Sequence, residues 1–192
     1  MLTLIDRKQM VDPDLDHNGK RVNPTFEQIR SAYSRHLVGL DCIGMIDAAL
    51  FVSLQRTHHV ERLIGYHCHV LVWNIDEEKL DQRCRQIRMR IKAFVPHATS
   101  ADFKRVRPTD LLQVLWYSTK TPRSQYQLHQ RETRRLKQYK RGINGVNSVR
   151  LYAELGRRTL TELTLAHGQG HRVLSSTLRD ARRWRLRGQP RA

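Results

Sequence analysis

The segment His67-Cys68-His69-Val70-Leu71-Val72 constrains this chain more than any other. Its aliphatic run reads as a strand, and successive side chains of a strand point to opposite faces. His67 and His69 therefore share one face, while Cys68 and Val70 turn the other way, into a core. Two neutral imidazoles side by side offer two nitrogen ligands and leave the rest of a cation's coordination sphere open. Phosphodiester chemistry needs an open sphere, because the ion must take a substrate oxygen as a ligand.

The surrounding pattern predicts a sheet with helices. Residues 47–55 read as a strand and residues 63–73 as a second, joined by the polar stretch RTHHVER into an antiparallel hairpin. Asn23-Pro24 reads as a helix start, with the helix running to about His36. Asn74 or Asp76 caps a helix to about Phe94, with Leu80, Cys84, Ile87, Ile91 and Phe94 as its buried stripe. Phe103–Val106 reads as a short strand, and Thr109 or Asp110 opens a further helix. Residues 1–22 carry Asp-Pro and Asn-Gly turn signals and read as a loosely attached polar arm. From Gln130 onward the chain reads as arginine-rich helices broken by glycines at 142–145 and 168–170. The expected fold class is α+β: an antiparallel sheet with flanking helices over residues 23–127, then a basic helical appendage over 128–192.

Charge narrows the partners. The 192 residues carry a formal charge of +17, of which +13 falls after residue 120, nearly all of it as Arg. Such a surface calls for a polyanion, and the guanidinium fork suits phosphate. The three cysteines form no Cys-x-x-Cys pair, which argues against a structural zinc site and a disulfide scaffold. The N-terminus lacks the apolar core of a signal peptide, and no apolar run approaches membrane-spanning length. The expectation is a reduced cytoplasmic protein with no membrane partner.

The helix after Asp110 offers a second chemical group. Leu111, Leu112, Leu115 and Trp116 make its apolar side, while Asp110, Gln113, Tyr117 and Lys120 recur on the other. A phenol with a reference pKa near 10 is a poor nucleophile at neutral pH. A neighbouring ammonium favours the phenolate and stabilises charge developing on a phosphate.

Together these segments resemble the HUH endonuclease superfamily. Phe51-Val52-Ser53-Leu54-Gln55 is similar to its first motif. His67-Cys68-His69-Val70-Leu71-Val72 is similar to its second, and Val114-Leu115-Trp116-Tyr117-Ser118-Thr119-Lys120 to its third, in the family's order. The likeness covers about residues 45–125 and is greatest to small single-tyrosine rolling-circle replication initiators. It implies an RRM-like core in which His67 and His69 hold one Mg²⁺ or Mn²⁺. It implies that Tyr117 attacks single-stranded DNA at a replication or transfer origin, leaving a 5′-phosphotyrosine and a free 3′-hydroxyl, with Lys120 beside the reaction. The family usually adds a third metal ligand. The candidates here are Glu61, His58, His59 and Gln113, with Glu61 preferred as a hard oxygen donor. Tyr126 ranks below Tyr117 because it lacks a lysine three residues on.

Arg172, Arg179, Arg182, Arg183, Arg185 and Arg187 crowd the last helix and would bind DNA, as a duplex-docking element or as a basic tail. Strand separation would come from a host helicase. Removing residues 146–192 should, on this reading, leave cleavage of a short single strand intact. Relaxases and single-strand transposases share the chemistry. The competing class is a non-catalytic RNA- or DNA-binding protein with an RRM-like sheet.

Overall fold

The computed structural model describes residues 1–13, 23–54, 60–95, 98–119, 124–130, 136–156 and 158–187. Two long strands, β2 (Asp41–Leu54) and β3 (Val60–Trp73), form its centre, preceded by β1 (Leu2–Val11) and α1 (Phe26–Leu37). Then follow α2 (Glu77–Arg90), β4 (Ala101–Phe103), a 3₁₀ turn (Pro108–Asp110), α3 (Leu111–Thr119), β5 (Ser124–Gln130) and β6 (Leu136–Gly142). The chain continues through α4 (Gly145–Leu155), α5 (Leu160–Leu163), β7 (Thr164–His167) and α6 (Gln169–Arg187).

The strands make one curled, mostly antiparallel sheet in the order β4-β1-β3-β2-β5-β6. β2 pairs in parallel with β5 along Leu50–Ser53 and antiparallel with β7 along Cys42–Met45, so two strands share one of its edges end to end. Even-numbered residues of the central strands, among them Leu4, Ile46, Leu50, Tyr66, Cys68 and Val70, join Ile29 and Tyr33 of α1, Ile87 of α2 and Leu151 of α4 in one core. One sheet face is thus covered by helices. The odd-numbered face carries the histidines, and α3 lies against it.

The helices α1 to α3 match the sequence pattern to within a few residues; the hairpin is present as expected, but β2 begins at Asp41, six residues before the strand read over 47–55. At the first helix the capping box belongs to Thr25 and Gln28, while Asn23 clips the end of β1 through both its amide atoms and the backbone of Asp12. α2 stops at Arg90, and Phe94 turns instead to pack edge-on against Phe51, ring centroids 5.5 Å apart.

Three expectations are corrected. Residues 2–11 are no loose arm: β1 lies between β3 and β4, with Leu2 and Leu4 fully buried. The charged run Asp6–Gln9 disguises the strand because it bulges out of the ladder between Ile5 and Met10. Of the stretch expected to be helical from Gln130 onward, Leu136–Gly142 is instead the strand β6, paired with β5, and this basic strand is a rim of the sheet.

The third correction concerns the appendage. β5 runs across the boundary expected at residue 127, β7 pairs with β2, and Leu151, Leu165 and Ala166 are buried. The Tyr66 hydroxyl donates to the Glu154 carboxylate at 2.9 Å, and the Arg158 guanidinium lies 4.4 Å over the Phe26 ring. A cut at residue 146 would remove a strand and part of the core.

Candidate metal centre

β3 fixes the two histidines. Both project from its odd face, with ring centroids 4.8 Å apart and nearly perpendicular planes. The third member of the group comes from the neighbouring strand. Asp47 of β2 sits directly opposite His67 in the antiparallel register, and its Oδ2 lies 3.7 Å from His67 Nε2. One ligand atom from each of Asp47, His67 and His69 falls within 4.8 Å of the others. The donors of a single ion lie at most about 4.2 Å apart, at bond lengths near 2.1 Å, so a small contraction closes this group on a cation.

The outer contacts suit ligation. Thr3, opposite His69 on β1, places its Oγ1 2.9 Å from His69 Nδ1. His67 Nδ1 faces the Gly65 carbonyl at 3.5 Å, leaving Nε2 towards Asp47. Contacts of this kind hold a histidine's tautomer and orientation at a metal. Asp47 Oδ1 accepts the Ala48 amide at 2.8 Å, which fixes the carboxylate. Burial lowers the pKa of His67 more than the Asp47 carboxylate raises it, favouring the neutral imidazole that a metal requires.

The strand register does not bring Glu61 to the histidines. Glu61 pairs with Ser53 near the far end of β3, six residues from His67, a separation of about 20 Å along a strand. The strands are longer than their apolar runs suggested, so the hairpin connection lies far from the histidines. The side chain of Glu61 and residues His58 and His59 lie outside the described residues. Gln113 is exposed on α3. Asp47 opens the strand that the sequence pattern predicts over residues 47–55 and carries no ligand signal of its own there. The sequence-derived hairpin, with Gln55 facing Leu63, would put Phe51 across from His67; only the observed register, with Leu54 opposite Val60, brings Asp47 there.

α3 brings Tyr117 to the same place. Its ring lies 6.0 Å from that of His69, centroid to centroid, and the residue is 43% exposed. Lys120 lies outside the described residues. The side of α3 expected to be buried is largely open: Leu112 and Trp116 are 80% and 78% exposed. Tyr126, on β5, stacks on Phe51 at 5.4 Å. Burial raises its phenol pKa, and Tyr117 and Asp47 add to the effect, so Tyr126 also belongs to this neighbourhood.

The arginines lie elsewhere. Arg172, Arg179, Arg182, Arg183 and Arg185 are exposed on α6, and the side chain of Arg187 lies outside the described residues. Arg172, Arg179 and Arg182 line a groove of about 650 Å³ with Ser175. The start of α6 is locked to the sheet: Asp41 Oδ1 accepts the Gln169 amide at 2.8 Å, and Gly170 lies so close to the Cys42 carbonyl that a Cβ there would clash. No helix among the described residues is long and apolar enough to cross a membrane.

Comparison with known proteins adds no relative: no protein-family model, curated protein or solved structure matches this chain.

Proposed function

We propose that this chain is a metal-dependent endonuclease and strand transferase for single-stranded DNA, using the chemistry of the HUH superfamily to initiate rolling-circle replication. The observation that carries the reading is the convergence of Asp47, His67 and His69 beside Tyr117. A sheet with one helix-covered face and one face bearing the site is the arrangement that an RRM-like HUH core would use.

Asp47, His67 and His69 would hold Mg²⁺ or Mn²⁺. Bound there, the ion supplies Lewis-acid polarisation of the scissile phosphate. The Tyr117 oxygen forms a bond to phosphorus as the bond from phosphorus to the 3′-oxygen breaks. The phenol proton passes to solvent, and the departing oxygen takes up a proton to become the 3′-hydroxyl. The 5′-phosphate stays on Tyr117, so the bond energy is conserved and the reverse reaction rejoins a strand. Lys120 is assigned to charge stabilisation by its place three residues after Tyr117. The same chemistry serves relaxases and transposases, which differ in the DNA they are brought to. A cytoplasmic initiator would dock origin duplex through the α6 arginines and borrow a host helicase.

A second reading, a binding protein without chemistry, draws on Trp116, which is 78% exposed beside Tyr117 and suited to stacking on a base. Incubation with end-labelled single strands separates the two, since only the enzyme carries DNA through SDS.

A further inference from the structure

The bulge in β1 builds a second site, away from the histidines. β1 advances from Ile5 to Met10 while β3 advances only from His67 to Gly65, so Asp6–Gln9 leaves the ladder. Asp6 and Gln9 turn inward and are only 6% and 7% exposed. They border a cavity of about 300 Å³ with Lys8, with Arg35 and His36 at the end of α1, and with Arg90 at the end of α2.

The charges here are unmatched. Asp6 receives the Lys8 amide at 3.1 Å and the Gln9 side-chain amide at 3.4 Å; no lysine or arginine pairs with it among the described residues, and its charge is felt by His36. The side chains of Lys8, Arg35 and Arg90 have no hydrogen-bond or ion-pair partner among the described residues. A buried carboxylate with no lysine or arginine on it, and three cations without ion-pair partners, around one cavity, leave complementary work for a ligand.

We infer that this cavity binds a guanine nucleotide. The rim cations select a ligand with an anionic group, and two guanidiniums suit phosphate. The buried carboxylate selects the other end. Guanine alone among the common bases presents two adjacent N–H donors, at N1 and the 2-amino group, matching the two oxygens of Asp6. Adenine and cytosine set an acceptor lone pair beside their donor, and a carboxylate repels it. The volume lies at the lower end of the small-ligand range and suits one nucleotide. The nucleotide is either free or the guanosine of a strand. The site is independent of the proposed endonuclease chemistry.

Equilibrium dialysis of the full chain in EDTA tests this, with GMP, AMP and inorganic phosphate as probes. GMP should bind about 10-fold or more tighter than AMP or phosphate, the scale of one mismatched buried polar pair. Asp6→Asn, which turns one acceptor into a donor, should abolish that preference. Arg90→Ala, at an exposed position, should weaken GMP by about 10-fold without changing the thermal melt. Tyr117→Phe should bind GMP normally. Two single-stranded hexanucleotides, one ending in G and one all T, locate the source. Displacement of GMP by the first alone assigns the site to strands, and displacement by neither assigns it to free nucleotide. Equal affinity for GMP and AMP would overturn the proposal, as would GMP binding unchanged in both Asp6→Asn and Arg90→Ala. Should Asp6→Asn fail to fold, Arg90→Ala and the GMP-to-AMP ratio decide.

Discussion

Asp47 lies directly across the β2–β3 ladder from His67, with carboxylate and imidazole 3.7 Å apart. This relationship completes a three-donor group that neither strand holds alone. It predicts that Asp47→Ala lowers Mn²⁺ affinity by at least about 10-fold, as measured by calorimetry, while Glu61→Ala leaves it unchanged. An unchanged affinity in Asp47→Ala would remove Asp47 from the site.

Thr3 tests the same centre from the other side. Thr3→Val keeps the branched shape and removes the hydroxyl 2.9 Å from His69 Nδ1. Losing an outer contact of this kind costs about 10- to 100-fold in metal affinity. An unchanged affinity would show that β1 does not orient His69.

The two tyrosines separate by chemistry. Tyr117→Phe should eliminate covalent attachment with little change in stability. Tyr126→Phe keeps the ring stacked on Phe51 and should retain attachment. Peptide mapping of the adduct to Tyr126 would reverse the assignment.

The buried positions of the C-terminal third predict stability effects that a tail would not show. Leu151 and Leu165 are 0% and 2% exposed. Leu151→Ala or Leu165→Ala should each destabilise the chain by about 2–5 kcal/mol in urea unfolding. Truncation at residue 146 should leave no cooperatively folded protein.

These contrasts mark what was legible in the sequence. Alternation over His67–Val72 and the apolar spacing of Leu80, Cys84 and Ile87 identified the central strand and a helix, because local periodicity reports which face is buried. The sequence also placed Tyr117 on a helix, and α3 carries it to the histidines. Contacts between distant segments were not legible. β7 is a four-residue strand completed only by its pairing with β2, and Thr164–His167 has no pattern of its own. β1 was hidden by the charged bulge at Asp6–Gln9, and Asp47 by a register that only the paired strands define.

The proposed duplex docking through α6 is read through salt. Arg179→Ala and Arg182→Ala lie beyond the part of the helix locked to the sheet. Each lost phosphate contact should reduce the log–log salt slope by about 0.9 on duplex, or 0.7 on single strands. A slope unchanged in the double variant would place the DNA elsewhere.

The most direct test of the account is covalent trapping. The full chain is incubated with a pool of single-stranded circles of random sequence, with and without Mn²⁺, and denatured in SDS. The predicted result is a DNA adduct on Tyr117 that requires the metal and is lost in excess EDTA, in His67→Ala and in Asp47→Ala. An adduct that persists in EDTA, or one that Asp47→Ala and His67→Ala form as readily as the parent, would contradict it.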